Sequence, residues 1–473
     1  MSTIQPNLRR MTLTAVICLL IIFAWNYNLA LYSPPPPPPP LAVEANPAIL
    51  THPPGHPRLS YFDLSAPRAP FVTWPLARLC AETSFIPGVV YICDNNSGGP
   101  GNIRNYILTC LRYALASGAT ALVTPRIRTR SPSDPADLFA GGYQPLDYMF
   151  NRSHFAAGLA AACPRLALHD ALEDVPGVSA RAAREGLPPE RTTLRIAPRD
   201  FGSRAGCDAR DVNRHTDRFP EAFRAWMAER ARDFGLAPTS WENPLVVRLA
   251  WGVLWDWTTW RDGPEFAATF GGLLRVREDI LKVAEDLVRA MDGLARSMSG
   301  EGRGVKGRER RYLGVHLRTE QDALAQWPSY EDQSRAYLRE AERQGFAGGV
   351  AYLASGSETE AHKFATDAME GLHLTVRSKF DVLQDTQLTT LRAMSWDQQA
   401  LVDFVVLLGA DYFVGVSPSS FSINVALKRH LRTEGLQTRP WRVGGLGDGR
   451  SWLVGQYEKY WDDWLFMFDG LWP

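Results

Sequence analysis

The chain has 473 residues, more than one hydrophobic core ordinarily organises, so two lobes are expected. Hydrophobic residues make up 45% and charged residues 22%, which excludes wholesale disorder. The 51 basic residues balance 51 acidic ones, so nothing at whole-chain level marks a nucleic-acid binder, and six cysteines are too few for a disulfide-built scaffold.

Residues 1–10 read as a short cytosolic tail ending in Arg9 and Arg10. An apolar stretch follows, and 11–32 is read as a transmembrane anchor with Trp25, Tyr27 and Tyr32 at the interface. A cleaved signal peptide is the alternative, but what comes next is not the start of a mature domain. Seven prolines, 34–40, open a stalk over 33–70. In polyproline II they extend about 3.1 Å each, a stiff spacer of about 22 Å. The positive-inside rule puts everything after the anchor on the lumenal side, the layout of a Golgi or endoplasmic-reticulum glycosylation enzyme of single-pass type II topology. Cys18 falls in the anchor, which leaves Cys80, Cys93, Cys110, Cys163 and Cys207 in an oxidising compartment. Five is odd, and the pairing stays open. Asn95 and Asn151 stand in Asn-x-Ser sequons, the first abutting a Gly-rich loop.

From about residue 71 short apolar runs alternate with helical patterns, the mark of parallel sheets with crossover helices. A strand is expected at 89–93, a Gly-rich turn at 97–101, a helix over 102–117 capped by Asn102, and a strand at 121–124. Residues 125–218 read as insertion loops with short helices. Helical spacing returns over 219–234 and 275–298, and 299–311 reads as a Gly/Arg-rich loop between lobes. Beyond it strands at 312–317, 350–354, 373–376 and 411–414 alternate with helices at 330–343, 357–369, 397–408 and 420–431, a doubly wound lobe. The expected architecture is α/β: a first Rossmann-like lobe over 71–300 and a second, nucleotide-sugar-binding one over 301–473.

Three stretches could carry chemistry. The first is the turn ending in Gly101-Asn102-Ile103-Arg104, where helix-start amides and dipole favour an anion. A cation such as Arg104 is out of place there unless it faces a phosphate or a sugar oxygen. The second runs through His316-Leu317-Arg318-Thr319-Glu320-Gln321-Asp322; on a strand His316, Arg318 and Glu320 share a face, and Arg grips a diphosphate bidentately. A buried Arg318–Glu320 pair is its plainer alternative. The third, Phe413 to Ser422, is again strand, Ser-rich turn and helix start, with hydroxyls at Ser419, Ser420 and Ser422. Trp251, Trp255, Trp257 and Trp260 fit either a stacking groove for an acceptor or a packing seam between lobes, the seam being favoured. His362 and His430 lie on expected helices without ligand spacing.

Taken in order, these three motifs resemble the GDP-fucose protein O-fucosyltransferase superfamily over about 89–432, with Asp403 matching the acid of the helix before the last motif. The resemblance implies a metal-independent, inverting glycosyltransferase of GT-B architecture that takes GDP-fucose as donor and a protein or glycan hydroxyl as acceptor. No cofactor or metal is expected, in keeping with the lack of an Asp-x-Asp motif. It further implies that Gly101, Asn102 and Arg104 hold the diphosphate or fucose. His316, Asp322 and Asp403 would shape the nucleoside side, and Ser419, Ser420 and Phe421 would close on the phosphates. Arg318 would neutralise the departing diphosphate. One branch of the family carries a glutamate where this chain has Gly99. Glu320, taken as catalytic with Arg318, and Asp94 are the substitutes for that base. Another GDP-sugar, or a silent nucleotide-sugar binder on the same fold, are the alternatives.

Overall fold

The computed structural model describes residues 63–131, 137–138, 140–192, 194–196, 218–233, 235–299, 312–320, 327–433 and 444–473. The expected anchor, most of the stalk, Cys18, Cys207, the segment 300–311 and Asp322 lie outside them. No helix among the described residues is long and apolar enough to cross a membrane.

The first lobe runs α1 (Trp74–Glu82), β1 (Ile86–Ile92), α2 (Pro100–Ser117), β2 (Ala119–Val123), β3 (Ile127–Arg128), β4 (Tyr143–Gln144) and α3 (Arg152–Ala162). It continues with β5 (Ala167–His169), α4 (Val178–Glu185), β6 (Leu194–Ile196), α5 (Phe219–Asp233), β7 (Leu245–Leu249), α6 (Pro264–Thr269) and α7 (Glu278–Ser299). Five strands form a parallel sheet in the order β5-β2-β1-β7-β6, with Val90 between Ala121 and Val246. Val89, Val90 and Tyr91 are wholly buried, as a central strand covered on both faces requires.

The second lobe runs β8 (Leu313–His316), α8 (Tyr330–Arg343), β9 (Val350–Ala354), α9 (Glu358–Leu372), β10 (Thr375–Arg377), α10 (Lys379–Val382) and α11 (Asp385–Ala393). It ends with α12 (Trp396–Gly409), β11 (Tyr412–Val416), α13 (Ser420–His430), β12 (Ser451–Val454) and α14 (Leu465–Asp469). Its sheet, also parallel, has the order β10-β9-β8-β11-β12. Caps explain several boundaries: Ser329, Ser357, Ser395 and Ser419 each accept a hydrogen bond from the backbone N–H three residues on.

Three expectations change and one open question closes. The helix expected from Asn102 begins at Pro100, with Gly99 as N-cap, because proline's missing N–H and fixed φ suit the first helical position. Asn102 therefore sits inside the first turn. Residues 125–218 are not only insertion loops, since β5 and β6 complete the first sheet at its two edges. At three residues each they are too short to show periodicity. The cysteine pairing resolves into Cys80–Cys163, which joins α1 to the end of α3, and Cys93–Cys110, which ties the end of β1 to α2. Finally, the last residues leave the second lobe and return to the first. Trp472 is buried edge-on against Phe266 and Phe270 at 5.6 and 4.9 Å. Its indole N–H donates to Thr109 Oγ1 at 3.2 Å and its backbone N–H to Asn105 Oδ1 at 3.0 Å.

The tryptophan cluster divides. Trp255 and Trp257 are buried: Trp255 meets Phe466 at 6.1 Å, and Trp257 packs on Tyr113 at 4.9 Å under the Arg112 guanidinium. Trp255 thus sits in a seam with the C-terminal segment and Trp257 in the first lobe's own core, whereas Trp251 and Trp260 keep part of their surface open. His430 is structural, its Nδ1 2.9 Å from Asp448, and His362 is exposed.

Candidate functional site

In an open parallel sheet, ligands settle at the carboxyl ends of the strands where the strand order reverses. The reversals fall between β1 and β7 in the first lobe and between β8 and β11 in the second. The loops leaving β1, β8 and β11 carry the three motifs, and one close contact joins the first to the third. Gly101 in the first turn of α2 abuts the first turn of α13, so that a Cβ on Gly101 would lie 3.0 Å from the Ser420 carbonyl oxygen and 3.1 Å from Asn424 Nδ2. Only a residue without a side chain lets the two helix starts approach this far.

On the second lobe, His316 ends β8 with its Nδ1 2.7 Å from Ser422 Oγ, which also accepts the Val416 N–H at 3.1 Å. Phe421 covers the imidazole at 4.6 Å and is met edge-on by Phe404 at 5.8 Å. Burial pushes the His316 pKa down to about 4, with Glu320 opposing and Arg318 adding to the drop, so the ring is neutral at physiological pH. Arg318 is fixed through its backbone. Its N–H donates to Gln333 Oε1 at 3.0 Å, and Gln333 Nε2 donates back to the Arg318 carbonyl at 2.8 Å. The guanidinium lies 5.5 Å from the Trp327 ring and ion-pairs with Glu320. Glu320 also accepts the Gly356 N–H at 2.6 Å.

On the first lobe, the wholly buried Asp94 is held by Arg126 at 2.8 Å and Arg248 at 3.1 Å. Asn96 fixes the loop by donating to the Arg126 carbonyl at 2.8 Å and accepting the Arg128 N–H at 2.9 Å. Gly98 has φ of +99°, a left-handed conformation that turns the chain into α2. Among the described residues nothing hydrogen-bonds to the buried Oδ1 of Asn102 or Oγ of Ser97, a costly arrangement unless a ligand donates to them. Behind this loop Arg130 ion-pairs across the lobes with Asp397 at 3.6 Å and lies over Trp396 at 4.5 Å.

Of the residues expected at the site, Gly101 touches Ser420, and His316 is tied to the same helix start through Ser422 and Phe421. Asn102 lies in the first turn of α2, Ser419 caps α13, and Arg318 is held by Gln333, Glu320 and Trp327. Others are engaged elsewhere. Arg104, expected on the diphosphate, is buried in the seam, donating from Nη1 to Asn424 Oδ1 at 3.2 Å and the Trp472 carbonyl at 2.5 Å, and from Nη2 to the Pro473 carbonyl at 2.6 Å. Asp403 lies beneath the sheet, 2.6 Å from Lys379 Nζ and 2.6 Å from the Tyr352 hydroxyl. Both candidate bases are paired, Glu320 with Arg318 and Asp94 with two arginines. The sequon asparagines also have local partners: Asn95 Nδ2 donates to the Leu249 carbonyl at 3.0 Å, and Asn151 caps α3 by accepting the His154 N–H at 2.9 Å. Sequence reasoning passed over Ser97, Asn96, Arg130, Gln333 and the clamp of Arg126 on Asp94. The alternation of Arg126, Arg128 and Arg130 is the one local signal that could have drawn attention to that segment. No group of three or more His, Cys, Asp or Glu placed to hold a metal ion occurs among the described residues.

The two doubly wound lobes meet where the first turns of α2 and α13 touch, each following a strand at its sheet's switch point. The model of the family described as GDP-fucose protein O-fucosyltransferase matches residues 90–432. The chain belongs to that family, and it is a glycosyltransferase. Among solved structures it is similar to POFUT1 in complex with GDP at 13% identity, covering 78% of this chain and 99% of that one with a TM-score of 0.41. It is also similar to the fucosyltransferase NodZ from Bradyrhizobium at 15% identity, covering 72% and 93% with a TM-score of 0.36. A mutant of Arabidopsis thaliana FUT1 in complex with GDP is matched at 12% identity, covering 75% and 71% with a TM-score of 0.35. No curated protein matches the chain.

Proposed function

We propose that this chain transfers fucose from GDP-fucose, with inversion and without a metal, to a hydroxyl of a protein or glycan acceptor. The observation that supports the reading is the approach of Gly101 to Ser420, which brings the first turns of α2 and α13 together, with His316 tied to α13 through Ser422. The bond from the sugar's anomeric carbon to the β-phosphate oxygen breaks, and its electron pair leaves with GDP. Arg318 takes that charge, exchanging Glu320 for the diphosphate as its counter-ion, while the amides at the start of α13 add their dipole. Glu320 stays held by the Gly356 N–H when Arg318 turns to the diphosphate. The acceptor oxygen bonds to the anomeric carbon from the opposite face, and its proton is lost to solvent. With Asp94 and Glu320 both paired, a dissociative path in which the leaving group departs early asks least of a base. Asn102 Oδ1 and Ser97 Oγ would accept hydroxyl protons of the sugar. The neutral His316 would present a ring nitrogen to the donor. We place the reaction in the Golgi or endoplasmic reticulum, with the chain anchored through 11–32.

The test is GDP release from GDP-fucose by the purified full-length chain in EDTA, alongside Arg318→Ala. Turnover that falls about 100- to 1,000-fold in the variant is the expected result, the scale of one lost charge-stabilising donor. Release from another GDP-sugar but not from GDP-fucose would replace the donor. Thermal stabilisation by GDP with no turnover of any donor would point to a silent binder.

A further inference from the structure

The two Asn-x-Ser sequons look alike in the sequence, since neither has proline in the middle. The fold separates them. Asn95 lies just past the carboxyl end of β1, and its Nδ2, the atom a glycan would take, donates to the Leu249 carbonyl at the end of β7 at 3.0 Å. Asp94 and Asn96 on either side are wholly buried, and Ser97, the hydroxyl residue of the sequon, is buried as well. An oligosaccharide on that nitrogen would have to displace the contact with β7 and open the loop that leads into α2. Asn151 is placed oppositely. As N-cap of α3 it accepts the His154 N–H on Oδ1 at 2.9 Å, and its backbone N–H donates to the Arg275 carbonyl at 2.8 Å. These bonds use Oδ1 and the main chain only. Nδ2 has no partner among the described residues and is not sealed from solvent, and Ser153 is exposed beside it. A carboxamide that carries a sugar on nitrogen keeps its oxygen, so the cap survives the modification.

We infer that Asn151 carries an N-linked glycan and that Asn95 does not. The inference rests on the lumenal placement proposed above. The donor is the host's oligosaccharide on a lipid diphosphate. Nδ2 bonds to the anomeric carbon of its first N-acetylglucosamine, and the bond from that carbon to the phosphate oxygen breaks. The electron pair leaves with the lipid diphosphate, and the amide gives up one proton. Because a glycan is bulky and hydrated, the folded chain tolerates it only where the nitrogen faces solvent. Asn151 meets that condition, and the Nδ2 of Asn95 is turned inward.

The test uses the full-length chain made in a eukaryotic secretory host, with an Asn-Gly-Ser sequon inserted after the proline run at 34–40 to report lumenal delivery. Removal of glycans by peptide-N-glycosidase in heavy-oxygen water leaves a labelled aspartate at every asparagine that bore one, read by peptide mass spectrometry. Label is expected at Asn151 and at the inserted sequon, and none at Asn95. Ser153→Ala should abolish the label at Asn151 and Ser153→Thr should keep it; both leave the Asn151 cap in place, and Ser153 is exposed, so folding is not at stake. Label at the inserted sequon with none at Asn151 would overturn the inference while the lumenal placement stands. Label at Asn95 in the monodisperse, cooperatively unfolding protein would overturn it too. Label at none of the three would sink the placement and the inference together.

Discussion

His316 is held neutral by burial, and that has a measurable sign. Its pKa is about 4 in the folded chain against an ordinary value of about 6.5. Between those values the unfolded chain binds a proton that the folded chain refuses. The histidine's contribution is therefore fully present above about pH 6.5 and is lost as pH falls towards 4, a loss of about 3 kcal/mol. Asp397 acts oppositely: burial raises it from its ordinary 3.8 to about 6, so its ionisation opposes folding as pH rises through that interval. The two trends partly cancel in a plain acid titration. The difference in urea-derived stability between wild type and His316→Asn isolates the histidine, and it should grow from pH 4 to 6.5 and then level off. A flat difference would mean that the ring takes up its proton as readily in the folded chain as in the unfolded one.

At the scale of elements, the loop before α2 depends on what fastens it. Cys93–Cys110 joins the last residue before the loop to the middle of α2, closing a segment with a sequence separation of 17. A loop of that size constrains the unfolded chain by about 3 kcal/mol. Cys93→Ser with Cys110→Ser should lower unfolding stability by that order, and because Asp94 and Asn96 still fix the turn, GDP should still bind. Loss of GDP binding by an otherwise folded double variant would show that the bridge itself shapes the crevice. The expected strands and helices of the second lobe were legible to within a few residues. Helix 330–343 and strand 350–354 coincide with α8 and β9, because serine caps, glycine stops and apolar periodicity all act locally. β5, β6 and β12 were not legible. Short edge strands are chosen by a neighbouring strand rather than by their own pattern.

For the whole molecule, the contacts that hold the lobes together come from distant parts of the chain. Arg130 reaches Asp397, Arg104 reaches Asn424, and Trp472 returns to the first lobe beside Phe266 and Phe270. Trp472 is fully buried with its indole N–H hydrogen-bonded, so Trp472→Ala should cost about 3–5 kcal/mol in chemical denaturation. Since the residue pins the second lobe's end onto the first, the variant should also weaken GDP binding. A stability loss with unchanged GDP affinity would show that the crevice is set without this tie. The resemblance drawn from three motifs is borne out by the family match over 90–432.

By itself the sequence determined the order of elements, the parallel α/β class and the turns that carry Gly101, Asn102, His316, Arg318 and Ser419 to Phe421. Strand polarity, caps and glycine turns are fixed by neighbours a few residues away. Only the tertiary structure decided which of those polar groups face the crevice. Arg104 and Arg318 look alike as motif arginines, yet one is drawn into the seam by carbonyls more than three hundred residues away and the other is set at a strand end by Gln333. The pairing of the cysteines and the capture of Asp403 by Lys379 belong to the same kind. Each depends on which surfaces the fold brings together, and burial then sets the charge that each group can carry.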